Sequence, residues 1–295
     1  MTLVWTVLSM SFVATVFTNC SDDDVAEEGQ ENSEDGIFDM SSEMIEKIHS
    51  IYSSASTGPQ KVTGVNQLAI LTSICASKEV EGPISVTDAL LNDEPITLIT
   101  LGGTQDVEGQ ATTMKESQLA AFGQPNDYLK AVTDLFQDGQ ISQEKPVMVT
   151  GISLGGMIAQ QLLGEQQVIA DYSIRAVITF GSPITLPLNR HEVQVVRFCD
   201  EHDKVPQLGE SLLRSGMITA KQMTKAELEA KLEELDETER ITRTSKYKDL
   251  VETHALSYIE DQCWSATDFM GNPEKTNVLE LVSDMKFYAA PKRVE

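Results

Sequence analysis

The stretch PVMVTGISLGGMIAQQLL, Pro146 to Leu163, holds the serine best placed to do chemistry. Ser153 is the centre of Gly151-Ile152-Ser153-Leu154-Gly155, a Gly-x-Ser-x-Gly pattern. A serine raised on a sharp strand-to-helix turn can attack an acyl carbon, so the chemistry would be acyl transfer through a covalent intermediate. The bare pattern is weak, because average Gly and Ser usage produces it by accident in roughly one chain in ten of this length. Its flanks strengthen it. Val147 to Thr150 read as a short buried strand between Pro146 and Gly151. After Gly155 and Gly156, Met157, Ile158, Leu162 and Leu163 recur at helical spacing. With the serine strained at the apex, residues two before and two after it crowd each other, and only small ones fit. The elbow therefore rests on Gly151 and Gly155.

A hydroxyl of ordinary acidity needs a base beside it and a carboxylate to orient that base. The chain has four histidines. His49 lies in an N-terminal amphipathic helix, and His191 precedes a strand, at the wrong end of a parallel sheet. His202 directly adjoins the acid candidates, so the two side chains would point apart. His254, in Thr253-His254-Ala255-Leu256-Ser257-Tyr258, is left as the base. Asp200, Glu201 and Asp203 all follow the Val193 strand and compete for the role of acid. Asp203 precedes Lys204-Val205-Pro206, whose proline stiffens the loop, as a carboxylate holding an imidazole requires.

The elements that must position these groups alternate. Met44–Ile51 reads as an amphipathic helix and Val65–Ala76 as a helix. Ile96–Leu101 reads as a buried strand that breaks at Gly102-Gly103-Thr104. Tyr128, Leu129, Val132, Leu135 and Phe136 form a helical stripe. Arg175–Phe180 and Val193–Phe198 read as further strands. Such alternation implies α/β architecture: a parallel sheet with helices on its faces and active groups at the carboxyl ends of its strands. Farther on, Thr224-x-x-Glu227 is a capping box, with Leu228, Leu232 and Leu235 forming one stripe of a charged helix. It reads as a solvated surface helix, with a lid over the site as the alternative.

Five segments taken in order resemble the class 3 lipases, the fungal-lipase-like branch of the α/β-hydrolases. They are Leu101-Gly102-Gly103-Thr104, Gly151-Ile152-Ser153-Leu154-Gly155, Phe180-Gly181-Ser182-Pro183, Asp203-Lys204-Val205-Pro206 and His254-Ala255-Leu256-Ser257-Tyr258. The resemblance spans roughly residues 96–259. Ile152, Gly102 and Ile184 depart from it, standing where that family usually carries His, Arg and Arg. It implies an α/β-hydrolase with a mostly parallel central sheet flanked by helices and a helical excursion between the acid and histidine loops. It further implies Ser153 as nucleophile, Asp203 as acid and His254 as base. The backbone N–H groups of Leu154 and Thr104 would form the oxyanion hole, with the Thr104 hydroxyl a further aid. No metal or organic cofactor is implied. The substrate class so suggested is an acylglycerol or phospholipid ester. The alternatives are a polysaccharide-linked feruloyl or acetyl ester, or a non-catalytic surface lipoprotein on the same fold.

Composition bounds the partners. The 295 residues carry a formal net charge of -24, with 41% hydrophobic and 23% charged residues, enough for one sizeable core. That charge opposes binding to nucleic acid or to anionic lipid surfaces. Leu3–Phe17 is an almost wholly apolar run without charge, the length of a signal h-region. Phe17-Thr18-Asn19-Cys20-Ser21-Asp22-Asp23-Asp24 then resembles a bacterial lipoprotein signal with an acidic tether of the Bacteroidetes type, although no Lys or Arg precedes the apolar run. The expected layout is a signal peptide over 1–19, a disordered acidic tether over 20–43 and a catalytic domain over 44–295. Cys20 would carry a lipid anchor to the membrane. The protein would be exported to the outer membrane or cell surface, or otherwise secreted or periplasmic. Cys75, Cys199 and Cys263 remain, an odd number that allows at most one disulfide among them.

Overall fold

The computed structural model describes residues 61–76, 80–105, 107–185, 193–207, 239–260, 262–274 and 276–293. The expected leader with Cys20, the expected acidic tether, the helix expected over Met44–Ile51 with His49, His191 and the expected helical excursion with Leu228, Leu232 and Leu235 lie outside these residues.

The apolar runs pair into one sheet. Its strands are β1 (Lys61–Val62), β2 (Ile84–Leu91), β3 (Glu94–Leu101), β4 (Val147–Ile152), β5 (Ile174–Phe180), β6 (Gln194–Asp200), β7 (Glu239–Arg243), β8 (Leu279–Leu281) and β9 (Lys286–Tyr288). Among the described residues the order is β1-β8-β2-β3-β4-β5-β6-β7, with β9 also pairing β2. β3 to β7 are parallel, and β2 is antiparallel to β3, β8 and β9. The α-helices among the described residues are α1 (Val65–Ser73), α2 (Met114–Ala121), α3 (Asp127–Gln137), α4 (Leu154–Gln161), α5 (Gln166–Asp171) and α6 (Leu250–Glu260). Period-two alternation sends neighbouring strand residues to opposite faces. Val147 and Val149 of β4 join Tyr128, Val132 and Phe136 of α3 and Leu154 and Ile158 of α4 in one core. Met148 and Ile152 join Leu68 of α1 and Leu256 and Ile259 of α6 in the other. A mostly parallel sheet with helices on both faces is thus the architecture, as the alternating pattern implied.

The local signals account for most of these elements. Asn126 caps α3 by accepting the Leu129 N–H at 2.8 Å. Asn92 and Asp93 both take positive φ, 53° and 67°, which turns β2 tightly into β3 as a two-residue hairpin does. The strand β2 was not expected from the sequence, and β4 runs on through Gly151 to Ile152 instead of stopping at Thr150. The C-terminal stretch closes the other edge of β2. It is held by a Gln110–Pro291 bridge and by Arg293, which bonds Asp127 through its backbone N–H and Asp134 through its guanidinium. Among the described residues no helix is long and apolar enough to cross a membrane.

Candidate active site at the strand ends

The elbow is a steric construction. Ser153 has φ 52° and ψ −119°, a region that costs a non-glycine residue about 1–3 kcal/mol and needs its surroundings to enforce it. The Ser153 N–H donates to the Phe180 carbonyl at 2.9 Å, which ties the turn to β5. Its own carbonyl accepts from the Gly156 and Met157 N–H groups and so starts α4. The flanking glycines are fixed by close approach. A Cβ on Gly151 would lie 2.3 Å from the Gly155 carbonyl oxygen, and one on Gly155 would lie 2.2 Å from that of Leu101.

Asp203 and His254 are held by hydrogen bonds. Asp203 is fully buried just beyond β6. Its Oδ1 accepts the Val205 N–H at 2.9 Å, and its Oδ2 accepts from His254 Nδ1 at 2.8 Å. His254 Nε2 lies 3.0 Å from Ser153 Oγ. A carboxylate can only accept, so the Nδ1 proton belongs on the imidazole and Nε2 is left free to take one from the serine. The side chains named from the sequence therefore lie in one hydrogen-bonded series. Asp249 presents α6 to this rim by capping it, accepting the Glu252 N–H at 3.1 Å. Four residues after His254, the Tyr258 hydroxyl donates to Asp203 Oδ2 at 2.8 Å and accepts the Asp200 N–H at 2.9 Å. Burial, and then the Asp203 carboxylate beside it, push the Tyr258 phenol well above its ordinary pKa. Gly181, at φ +56°, borders this group: a Cβ there would lie 2.9 Å from Asp203 Oδ2 and 3.2 Å from His254 Cε1.

The other candidates face elsewhere. Asp200 Oδ1 accepts the His202 N–H at 2.9 Å, and Glu201 accepts from the Thr244 hydroxyl. His202 is a half-buried turn residue with Nδ1 3.8 Å from Asp200. The Leu154 N–H is the first of α4, pointing from the elbow end of the helix. Gly103 brings its backbone against Ser153, since a Cβ on it would lie 3.3 Å from the serine Cβ. The Thr104 hydroxyl is paired with Ser117 Oγ at 2.7 Å on α2. Sequence reasoning missed Ser117 and saw Tyr258 only as part of a motif, although its i+4 spacing from His254 puts both on one face of a helix.

Among the described residues no group of three or more His, Cys, Asp or Glu side chains is placed to hold a metal ion. Cys75, Cys199 and Cys263 are not joined in disulfides. Cys75 is sealed beneath β3 against the Thr100 hydroxyl at 2.8 Å, and burial pushes its thiol up to about 11.

A doubly covered, mostly parallel sheet with a serine elbow at the end of a central strand defines an α/β-hydrolase fold. Within it, the PGAP1-like alpha/beta domain matches residues 104–278, more than half of the chain, and the chain belongs to that family. The matched span contains Ser153, Asp203 and His254 and ends one residue before β8. A solved structure described as an esterase/lipase from an uncultured bacterium is similar at 10% identity and a TM-score of 0.27, over 70% of this chain and 88% of that one. That likeness is too slight to support any conclusion. No curated protein matches the chain.

Proposed function

We propose that this protein is a serine-dependent carboxylic ester hydrolase in which Ser153, His254 and Asp203 act as a triad. The observation that carries the reading is the series Ser153 Oγ, His254, Asp203, with contacts of 3.0 and 2.8 Å. His254 Nε2 takes the Ser153 proton as Oγ bonds to the ester carbonyl carbon. The Leu154 and Thr104 N–H groups receive the oxyanion. As the tetrahedral species collapses, the imidazolium returns its proton to the leaving alkoxide, and the acyl group stays on Ser153. Water then repeats the sequence, losing a proton to His254 and releasing the acid.

The finer assignments come from the sequence. The class 3 lipase resemblance supports an acylglycerol or phospholipid substrate. The apolar leader and the Cys20-Ser21-Asp22-Asp23-Asp24 run support export with a lipid on Cys20. Labelling with a fluorophosphonate tests the chemistry. A covalent adduct on Ser153 of the folded protein, lost in Ser153→Ala, is the expected result. A folded chain that neither labels nor hydrolyses short p-nitrophenyl esters or emulsified triacylglycerol is a binding protein instead.

A further inference from the structure

The triad explains three of the polar groups at this rim and leaves Tyr258 unexplained. Tyr258 is fully buried, its ring stacked on Trp264 at 5.9 Å and tilted against Phe180 at 6.4 Å. An apolar wall of this kind would take a phenylalanine equally well. A buried hydroxyl is instead kept only where it is bonded on both sides, and here the bonds have a fixed direction. The Asp200 backbone N–H can only donate, so it occupies a lone pair of the phenol oxygen. The single phenol proton is thereby aimed at Asp203 Oδ2, the oxygen that also accepts from His254.

We infer that Tyr258 is a positioning residue of the same site, whose hydroxyl fixes the Asp203 carboxylate and draws off part of its negative charge, so setting how strongly that carboxylate pulls on His254. This rests on the triad reading given above. The titratable side chains facing Tyr258 are Asp203 and Cys199 from β6 and its loop, with His254 one turn earlier on α6. A phenol held in its neutral form is a steady donor across the working range. The i, i+4 spacing on α6 also means that one turn of helix carries both the base and the group restraining the acid. The same contact distinguishes the carboxylates: Asp203 receives the phenol proton, whereas Asp200 offers the phenol only its backbone N–H.

The test is the pH profile of kcat/KM on p-nitrophenyl butyrate, measured on the whole chain. In Tyr258→Phe the ring packing stays and the proton is lost, so the carboxylate keeps more charge and favours the imidazolium. The acid limb should move to higher pH by about half a unit or more, with turnover at neutral pH falling roughly tenfold. Site-specific 3-fluorotyrosine at position 258 is a stronger donor in nearly the same volume. It should move the limb the opposite way, and it keeps the inference testable if Tyr258→Phe folds poorly. An acid limb that stays in place in these proteins, even with lowered activity or melting temperature, overturns the inference and reduces Tyr258 to packing. If wild-type Ser153 takes up no fluorophosphonate, the triad itself fails and this inference with it. Labelling with an unmoved limb removes only the role of Tyr258.

Discussion

The two halves of this site are built by different physics. The serine half is shaped by exclusion: Gly151 and Gly155 leave no room for a Cβ, and Ser153 is held at φ 52° by what surrounds it. The half that holds Asp203 and His254 is shaped by attraction. There Asp203 accepts from Val205, His254 and Tyr258, and steric exclusion enters only through Gly181 at φ +56°, whose missing Cβ leaves room for them. On the triad reading proposed above, a nucleophile must be presented outward and so needs a strained perch, whereas an acid must be held still inside and so needs donors.

The comparison can be tested from its strongest consequence downward. Ser153→Ala and His254→Ala should each lower kcat by on the order of 10⁴ or more while leaving thermal stability nearly unchanged, and the double variant should be little worse. Additive losses in steady-state kinetics would mean that the halves act separately. Asp203→Asn preserves size but alters which imidazole nitrogen carries the proton, and should cost about 10³–10⁴ in kcat. Retained turnover there would hand the acid role to Asp200 or Glu201. Gly155→Ala should act on the fold before the chemistry. With a Cβ 2.2 Å from the Leu101 carbonyl oxygen, denaturant melts should show a loss of about 3 kcal/mol or more. A near-neutral result would mean that the elbow is not sterically tight.

The smallest effect is alkaline. Cys75 is raised from 9.0 to about 11, so the folded state holds that proton more tightly than the unfolded chain. Its contribution is complete below pH 9 and is lost as pH climbs through about 11, a change of roughly 2–3 kcal/mol. Tyr128 and Tyr258 are raised as well, which extends the decline above pH 10. Chemical denaturation from pH 8 to 11 should show falling stability, with a shallower slope in Cys75→Ala. Identical slopes would place that thiol in water.

The same contrast decides what could be read from the chain. Exclusion leaves a local signature, and Gly151-Ile152-Ser153-Leu154-Gly155 announced the elbow directly. The strands β3 to β6 were visible because strands buried on both faces read as continuous apolar runs. Attraction leaves a fainter mark. Among three carboxylates at positions 200–203 the Lys204-Val205-Pro206 stretch favoured Asp203, and the tertiary fold adds that Glu201 turns to Thr244 while Asp203 meets His254. Ser117 was invisible for that reason, since nothing near it in sequence forecasts a partner thirteen positions earlier. β2 was missed although Asn92-Asp93 is a fair hairpin signal, because Asp88 interrupts its apolar run.

The C-terminal return onto β2 bears on how this protein can be divided. The span shared with its family, residues 104–278, omits β2, β3, β8 and β9, and these strands pair with one another. A fragment cut at those borders would bare the long flank of β4, whose backbone now bonds β3 and whose side chains are all buried. An unprotected apolar flank of that kind recruits copies of itself. The domain is therefore transplantable only together with these outlying strands.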